Sequence, residues 1–190
     1  MVILDSEKGT CQRLPELNST TFFVFTGPPM THSTTSSKPV PQCAKAFDLG
    51  IAMDSSGSIR DANYQKEKNF IKGLPELLEV GPQTVQLGLI VFSDVPIISV
   101  RFGTLKSTDR TSFTAAVDGV PYLRGRTRTD SVLESAATNL FPEGRQGSVP
   151  QVFFLMTDGR HSKDPGAVAL DQAVQQLRAK GIKVQVIGTH

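Results

Sequence analysis

The chain has 190 residues, with 20 Lys+Arg against 18 Asp+Glu and a formal net charge of +2. Both signs are interspersed, which excludes a nucleic-acid polyelectrolyte and a basic membrane-surface protein. No apolar run reaches the roughly 18 residues of a membrane-spanning helix, and two cysteines exclude a disulfide-dense scaffold and a four-cysteine zinc site.

Residues 1–42 read as an N-terminal extension or linker. They hold one short apolar stretch, Thr21–Phe25, and then a Ser/Thr/Pro-rich run from Thr26 to Pro41. Proline removes backbone donors, and Ser and Thr compete for backbone hydrogen bonds, so such a run builds no core. The start is not a secretion signal: three apolar residues after Met1 meet Asp5 and Glu7.

From residue 43 to 190 the pattern becomes regular. Phe47–Met53 predicts a strand. Within Tyr64–Val80, Phe70, Ile71, Leu74, Leu77 and Leu78 mark the apolar face of a helix. Val85–Phe92 predicts the second strand. Ile97–Phe102 predicts a third, close enough to return antiparallel. Val132, Ala136, Ala137 and Leu140 mark a helix, and Val149–Met156 a nearly all-apolar strand. Val168, Leu170, Val174 and Leu177 mark a last helix, ended by Gly181, before a strand at Ile182–Ile187. Strands apolar along their length are covered on both faces. The fold class is therefore α/β, doubly wound, with a mostly parallel central sheet and helices on both faces. Ligands of such folds sit at the carboxyl ends of the strands.

Two carboxylates stand at those ends. The first strand runs into Asp54, Ser56 and Ser58, two residues apart around Gly57, and the fourth ends at Thr157-Asp158-Gly159. Between them, Gly125–Thr129 offers more hydroxyls ahead of a helix. Two carboxylates and several hydroxyls without clustered His or Cys make a hard oxygen site, suited to Mg2+, Mn2+ or Ca2+. Plainer roles are open to the same residues. Ser58 ahead of Asp61, and Thr129 ahead of Asp130, have the form of helix N-caps, and Asp158-Gly159 that of a turn.

Met53–Ile59, Gly125–Thr129 and Met156–Gly159, in this order, resemble the von Willebrand factor type A domain, the first through its complete D-x-S-x-S signature. The resemblance covers about Cys43 to His190. It implies a metal-ion-dependent adhesion site with Ser56, Ser58 and Thr127 as hydroxyl ligands, and Asp54 and Asp158 acting directly or through water. It implies the sheet order 3-2-1-4-5-6 with strand 3 antiparallel. The family's last strand and helix are missing after His190. Ile182–Ile187 is then expected as an apolar edge unless something else covers it.

Many matrix and adhesion members of this family carry a cysteine just before the first strand, here Cys43. It can pair with Cys11, a link worth roughly 3–4 kcal/mol on the chain-entropy model. Alternatively, each cysteine can pair beyond this chain or stay a free thiol. Asn18-Ser-Thr20 is a glycosylation acceptor. Together with the Ser/Thr/Pro run, these features favour a secreted or extracellular matrix protein whose signal peptide is not in this chain. His161 reads as a loop residue rather than a ligand.

The leading functional reading is a non-enzymatic adhesion module that takes a carboxylate from an extracellular matrix protein such as collagen, with no nucleic acid and no membrane insertion. Arg126, Arg128, Arg160 and Lys163 would form a positive rim around the site. A phosphotransferase with an aspartyl nucleophile needs a second acid two residues on, where Ser56 stands, and no glycine-rich phosphate loop occurs. A structural matrix protein with incidental metal and an intracellular type A scaffold are the remaining alternatives.

Overall fold

The computed structural model describes residues 46–162 and 168–188 in full, and 2–5, 10–13 and 22–24 as backbone strands. The expectations placed on the side chains of Cys11, Cys43, Asn18 and Lys163 lie outside the described residues. In chain order the elements open with β1 (Val2–Asp5), β2 (Thr10–Arg13), β3 (Phe22–Val24) and β4 (Phe47–Asp54). Then come α1 (Arg60–Leu77), β5 (Val85–Phe92), β6 (Pro96–Val100), α2 (Leu105–Thr108) and α3 (Arg110–Asp118). α4 (Thr129–Ser135) continues into a π-helical turn, Ala136–Leu140, and a 3-10 turn, Phe141–Glu143. β7 (Gln151–Thr157), α5 (Leu170–Ala179) and β8 (Lys183–Gly188) follow.

Among the described residues, the main sheet has the order β3-β8-β7-β4-β5-β6, and β1 pairs with β2 in a separate antiparallel ribbon. β5, β4, β7 and β8 run parallel, and β6 returns antiparallel to β5, as the sequence predicts. The alternation of β4 and β5 explains the two helix layers. Leu49, Ile51, Met53, Leu87, Leu89 and Val91 face a core closed by Tyr64, Ile71 and Leu74 of α1 and by Phe113 and Val117 of α3. Ala52, Ile90 and Phe92 face the opposite core, closed by Val132, Leu133 and Leu140 on one side and Ala173 and Leu177 of α5 on the other.

The edge beyond β8, expected to be an open apolar edge unless something else covers it, holds β3, paired parallel from Phe22↔Val186 to Val24↔Gly188. Phe22, Phe23 and Val24 are strand-prone and supply the donors and acceptors that an open edge lacks. The extension thus contributes a strand to the domain's sheet. α3 is an element the sequence reading does not assign. Asp109 caps it, accepting from the Ser112 amide at 2.7 Å, and its buried face is only Phe113 and Val117.

The amino end of β4 is locked by a buried ion pair. Asp48 is fully buried, and Arg145 donates to it from its backbone amide (2.6 Å), Nε (2.8 Å) and Nη2 (2.6 Å). The same guanidinium donates to the Phe47 and Thr84 carbonyls, tying the starts of β4 and β5. The carboxyl ends of the strands, at the opposite pole, are left to loops.

Candidate metal site

β4 is buried along nearly its whole length and delivers Asp54 to the carboxyl edge of the sheet with no exposed surface. Its two carboxylate oxygens are oriented separately. One accepts from the Ser56 amide at 2.9 Å, the other from the Thr157 hydroxyl at the end of β7 at 2.8 Å. Burial pushes the Asp54 carboxyl above its ordinary range and the neighbouring Asp158 adds to the rise, while the Ser56 and Thr157 hydrogen bonds oppose it.

The hydroxyls of Ser56 and Ser58 lie 3.1 Å apart. Ser58 is not a helix cap: α1 starts at Arg60, behind Ile59, with no side-chain cap. Thr129 is not a cap either, since α4 begins at that residue behind Arg128. The Ser58 hydroxyl, which the plainer reading assigned to a backbone amide, is directed to Ser56 instead. Asp158 does occupy a turn, accepting from the Arg160 amide at 3.0 Å, with Gly159 at φ +80°.

Three loops converge because each is tied to the next. Gly57 N–H donates to the Gly125 carbonyl at 2.9 Å, and Ser56 and Gly125 form a parallel bridge. Thr127, which is buried, exchanges bonds with Ser162 of the third loop: Ser162 N–H donates to the Thr127 carbonyl (3.0 Å), and the Thr127 amide donates to the Ser162 hydroxyl (3.2 Å). The Thr157–Asp54 bond closes the ring. Gly125 lets the Ser93 and Asp94 side chains approach its backbone closely. A Cβ at this position would stand 2.8 Å from the Ser93 hydroxyl and 2.0 Å from an Asp94 carboxylate oxygen.

The arginines named in the sequence flank these loops in ion pairs. Arg126 Nε meets Asp94 at 2.7 Å, and Arg128 grips Asp130 through Nε at 2.9 Å and Nη2 at 2.8 Å. The Arg128 hydrogen bond holds the Asp130 carboxyl below its usual range. Arg160 lies 3.9 Å from Asp158 and is largely exposed. His161 carries a buried Nδ1 with no hydrogen-bond partner among the described residues.

The candidate donors, two carboxylates and three hydroxyls, have the chemistry that suits a hard divalent cation, and no group of three or more His, Cys, Asp or Glu side chains able to hold a metal ion occurs among the described residues. Sequence reasoning missed Thr157 and Ser162 as partners of Asp54 and Thr127, Asp94 beside Gly125, and the buried Ser55. Only Thr157 and Ser55 lay inside a quoted motif. The others touch the site across the fold, where local sequence carries no signal.

A doubly wound α/β domain with an oxygen-donor site across three loops at the carboxyl edge of its sheet defines a class of ligand-binding domain. The von Willebrand factor type A domain model matches residues 48–190, and the chain belongs to that family. It is 32% identical over 146 residues to mouse von Willebrand factor A domain-containing protein 2, covering 77% of this chain and 17% of that protein. It is 34% identical over 158 residues to the mouse collagen alpha-4(VI) chain, covering 78% and 6% respectively. The chain thus spans less than a fifth of the length of these curated relatives. Among solved structures, proximal thread matrix protein 1 of the mussel byssus, with zinc in its MIDAS motif, matches with a TM-score of 0.69 and 22% identity over 77% of this chain and 39% of that one. Manganese-loaded Plasmodium vivax TRAP protein matches at 0.66 and 23% over 77% and 58%. At these identities the two structures show the fold alone.

Proposed function

We propose that this chain is a metal-dependent binding module of a secreted or extracellular matrix protein, holding Mg2+, Mn2+ or Ca2+ on Asp54, Ser56, Ser58, Thr127 and Asp158. The observation that carries the reading is the state of the hydroxyls. Ser58 is not used as a helix cap, and the Ser56 and Ser58 hydroxyls lie side by side next to a buried, pre-oriented Asp54. Burying a carboxylate this deeply costs stability unless a cation compensates it. When bound, a divalent ion would supply an electrophilic centre for a carboxylate oxygen of a partner.

The chain's own residues set the charge balance. Asp54 and Asp158 neutralise a divalent cation formally, and the remaining donors are uncharged, so an incoming Glu or Asp is attracted without displacing either. The expected partner is an extracellular matrix protein that presents an acidic side chain, collagen among the candidates. Relatives that are collagen chains support this setting. Arg126 and Arg160, both more than half exposed, would speed approach of acidic ligands in a salt-dependent way, tempered by their own acidic neighbours. The module is read as non-enzymatic, and Ser56, standing where an aspartyl phosphotransferase needs its second acid, argues against that chemistry.

The binding domain covers 43–190 in this reading, with 1–42 as its extension, glycosylation at Asn18, and a Cys11–Cys43 link as one pairing. The test of function is adhesion to immobilised collagen in Mg2+. Chelation and Thr127→Ala should each abolish it. Adhesion that survives both hands the case to a metal-independent contact face.

A further inference from the structure

We infer that Ser55, the residue between two of the proposed ligands, is a positioning residue for the metal site, acting together with Tyr122; the inference rests on the metal-site reading above. Ser55 is fully buried and stands between Asp54 and Ser56. Its hydroxyl accepts from the Leu123 amide at 2.7 Å and donates to the Pro121 carbonyl at 3.3 Å. Its own carbonyl accepts from the Arg124 amide at 2.7 Å. Tyr122 returns the contact, donating from its hydroxyl to the Ser56 carbonyl at 3.1 Å.

These bonds matter because Val120–Arg124 has no helix or strand of its own. Arg124 sits at φ +60°, a left-handed backbone that a non-glycine residue holds only when its surroundings impose it. Thr127 follows three residues later. The loop that presents its hydroxyl is therefore set by its anchors rather than by a regular element. α1 completes the anchorage. The Tyr64 ring stacks on Tyr122 at 4.7 Å, and its hydroxyl donates to the Pro121 carbonyl at 2.7 Å. Lys68 Nζ donates to the Asp118 and Val120 carbonyls at 2.8 and 3.3 Å. The Ser55 hydroxyl thus clasps the Thr127 loop to the Asp54 loop, fixing the distance between hydroxyl donors contributed 71 positions apart, as 127 − 56. Partners that orient metal ligands from behind are worth about 10- to 100-fold in metal affinity.

The test is a calorimetric titration of Mn2+ into the wild-type chain, Ser55→Ala, Tyr122→Phe and Ile182→Val, with thermal unfolding in chelator alongside. Tyr122→Phe keeps the ring stack and loses only the hydroxyl, so it reports even if Ser55→Ala does not fold. Ile182→Val trims a buried residue just before β8, at the amino end of the sheet, and reports loss of stability alone. The clasp predicts Mn2+ binding at least about tenfold weaker in Ser55→Ala and Tyr122→Phe, and unchanged in Ile182→Val. Wild-type affinity in both clasp variants overturns the inference and leaves the metal site standing. Affinity that merely follows the unfolding midpoint across all three variants also overturns it. A wild-type chain that binds no Mn2+ overturns the metal reading itself, before any variant is compared.

Discussion

Asp54 occupies a place a carboxylate ordinarily avoids, fully buried at a strand end with a second carboxylate nearby. In the proposed site such a residue trades stability for a ligand. Asp54→Asn keeps the shape and removes the charge. It should raise the unfolding midpoint in chelator by a few degrees, as about 1 kcal/mol corresponds to roughly 2–4 °C in a domain of this size. It should also erase the rise in midpoint that Mg2+ or Mn2+ produces in the wild type. Differential scanning calorimetry checks both. Asp130 behaves in the opposite sense. The Arg128 pair lowers its pKa, so its stabilisation is complete above the ordinary carboxylate value and is lost as pH falls through the depressed folded-state value. Asp130→Asn should cost about 1–3 kcal/mol at pH 7, and urea titrations should show the gap to wild type closing as pH drops below about 4.

These residues differ in how far the sequence reveals them. Asp54, Ser56 and Ser58 lie within five consecutive residues, so their convergence follows from one strand, one glycine and one turn. Ser55 sits in the same motif, yet its task is invisible there, because its partners Leu123 and Pro121 are 68 and 66 residues away. Asp48 and Arg145 pair across 97 residues and follow no local pattern at all. The left-handed backbone at Arg60, φ +67°, is likewise unannounced by its residue type.

At the level of elements, hydrophobic period was the strongest guide. The five strands of the domain and the helices at α1, α4 and α5 were legible because each carries a long apolar face. α3 was not, because nine residues with two buried side chains give too short a period. β3 was not, because three apolar residues beside a proline-rich run look like a loop until β8 offers them an edge. That pairing has a consequence for behaviour in solution. Removing residues 1–25 should expose the end of β8, lower the unfolding midpoint and promote self-association through the freed edge. Light scattering on the shortened and full chains measures this. An unchanged midpoint and mass would mean that β3 contributes nothing to the edge.

The whole molecule is organised as two poles on one sheet. The amino ends of the strands are locked by Asp48 and Arg145, whereas the carboxyl ends are left to three loops tied in a ring. One pole closed by an ion pair and one closed by cross-tied loops suit a domain that must hold its fold while one face meets a partner. Arg145→Ala strands a buried carboxylate and should cost about 3–5 kcal/mol, yet leave metal affinity unchanged in whatever fraction remains folded. Denaturant titration and calorimetry in parallel separate the two effects. Equal loss of both would show that the poles are not independent.

The central claim is that five oxygen donors from three loops form one metal site. It is tested most directly by titrating Mg2+ and Mn2+ into the metal-free wild-type chain and into Asp54→Ala by isothermal calorimetry. A single saturable site is expected in the wild type, with affinity in the micromolar to millimolar range of about −8 to −4 kcal/mol, and its loss in Asp54→Ala. Equal heats and equal affinity in the two proteins would contradict it.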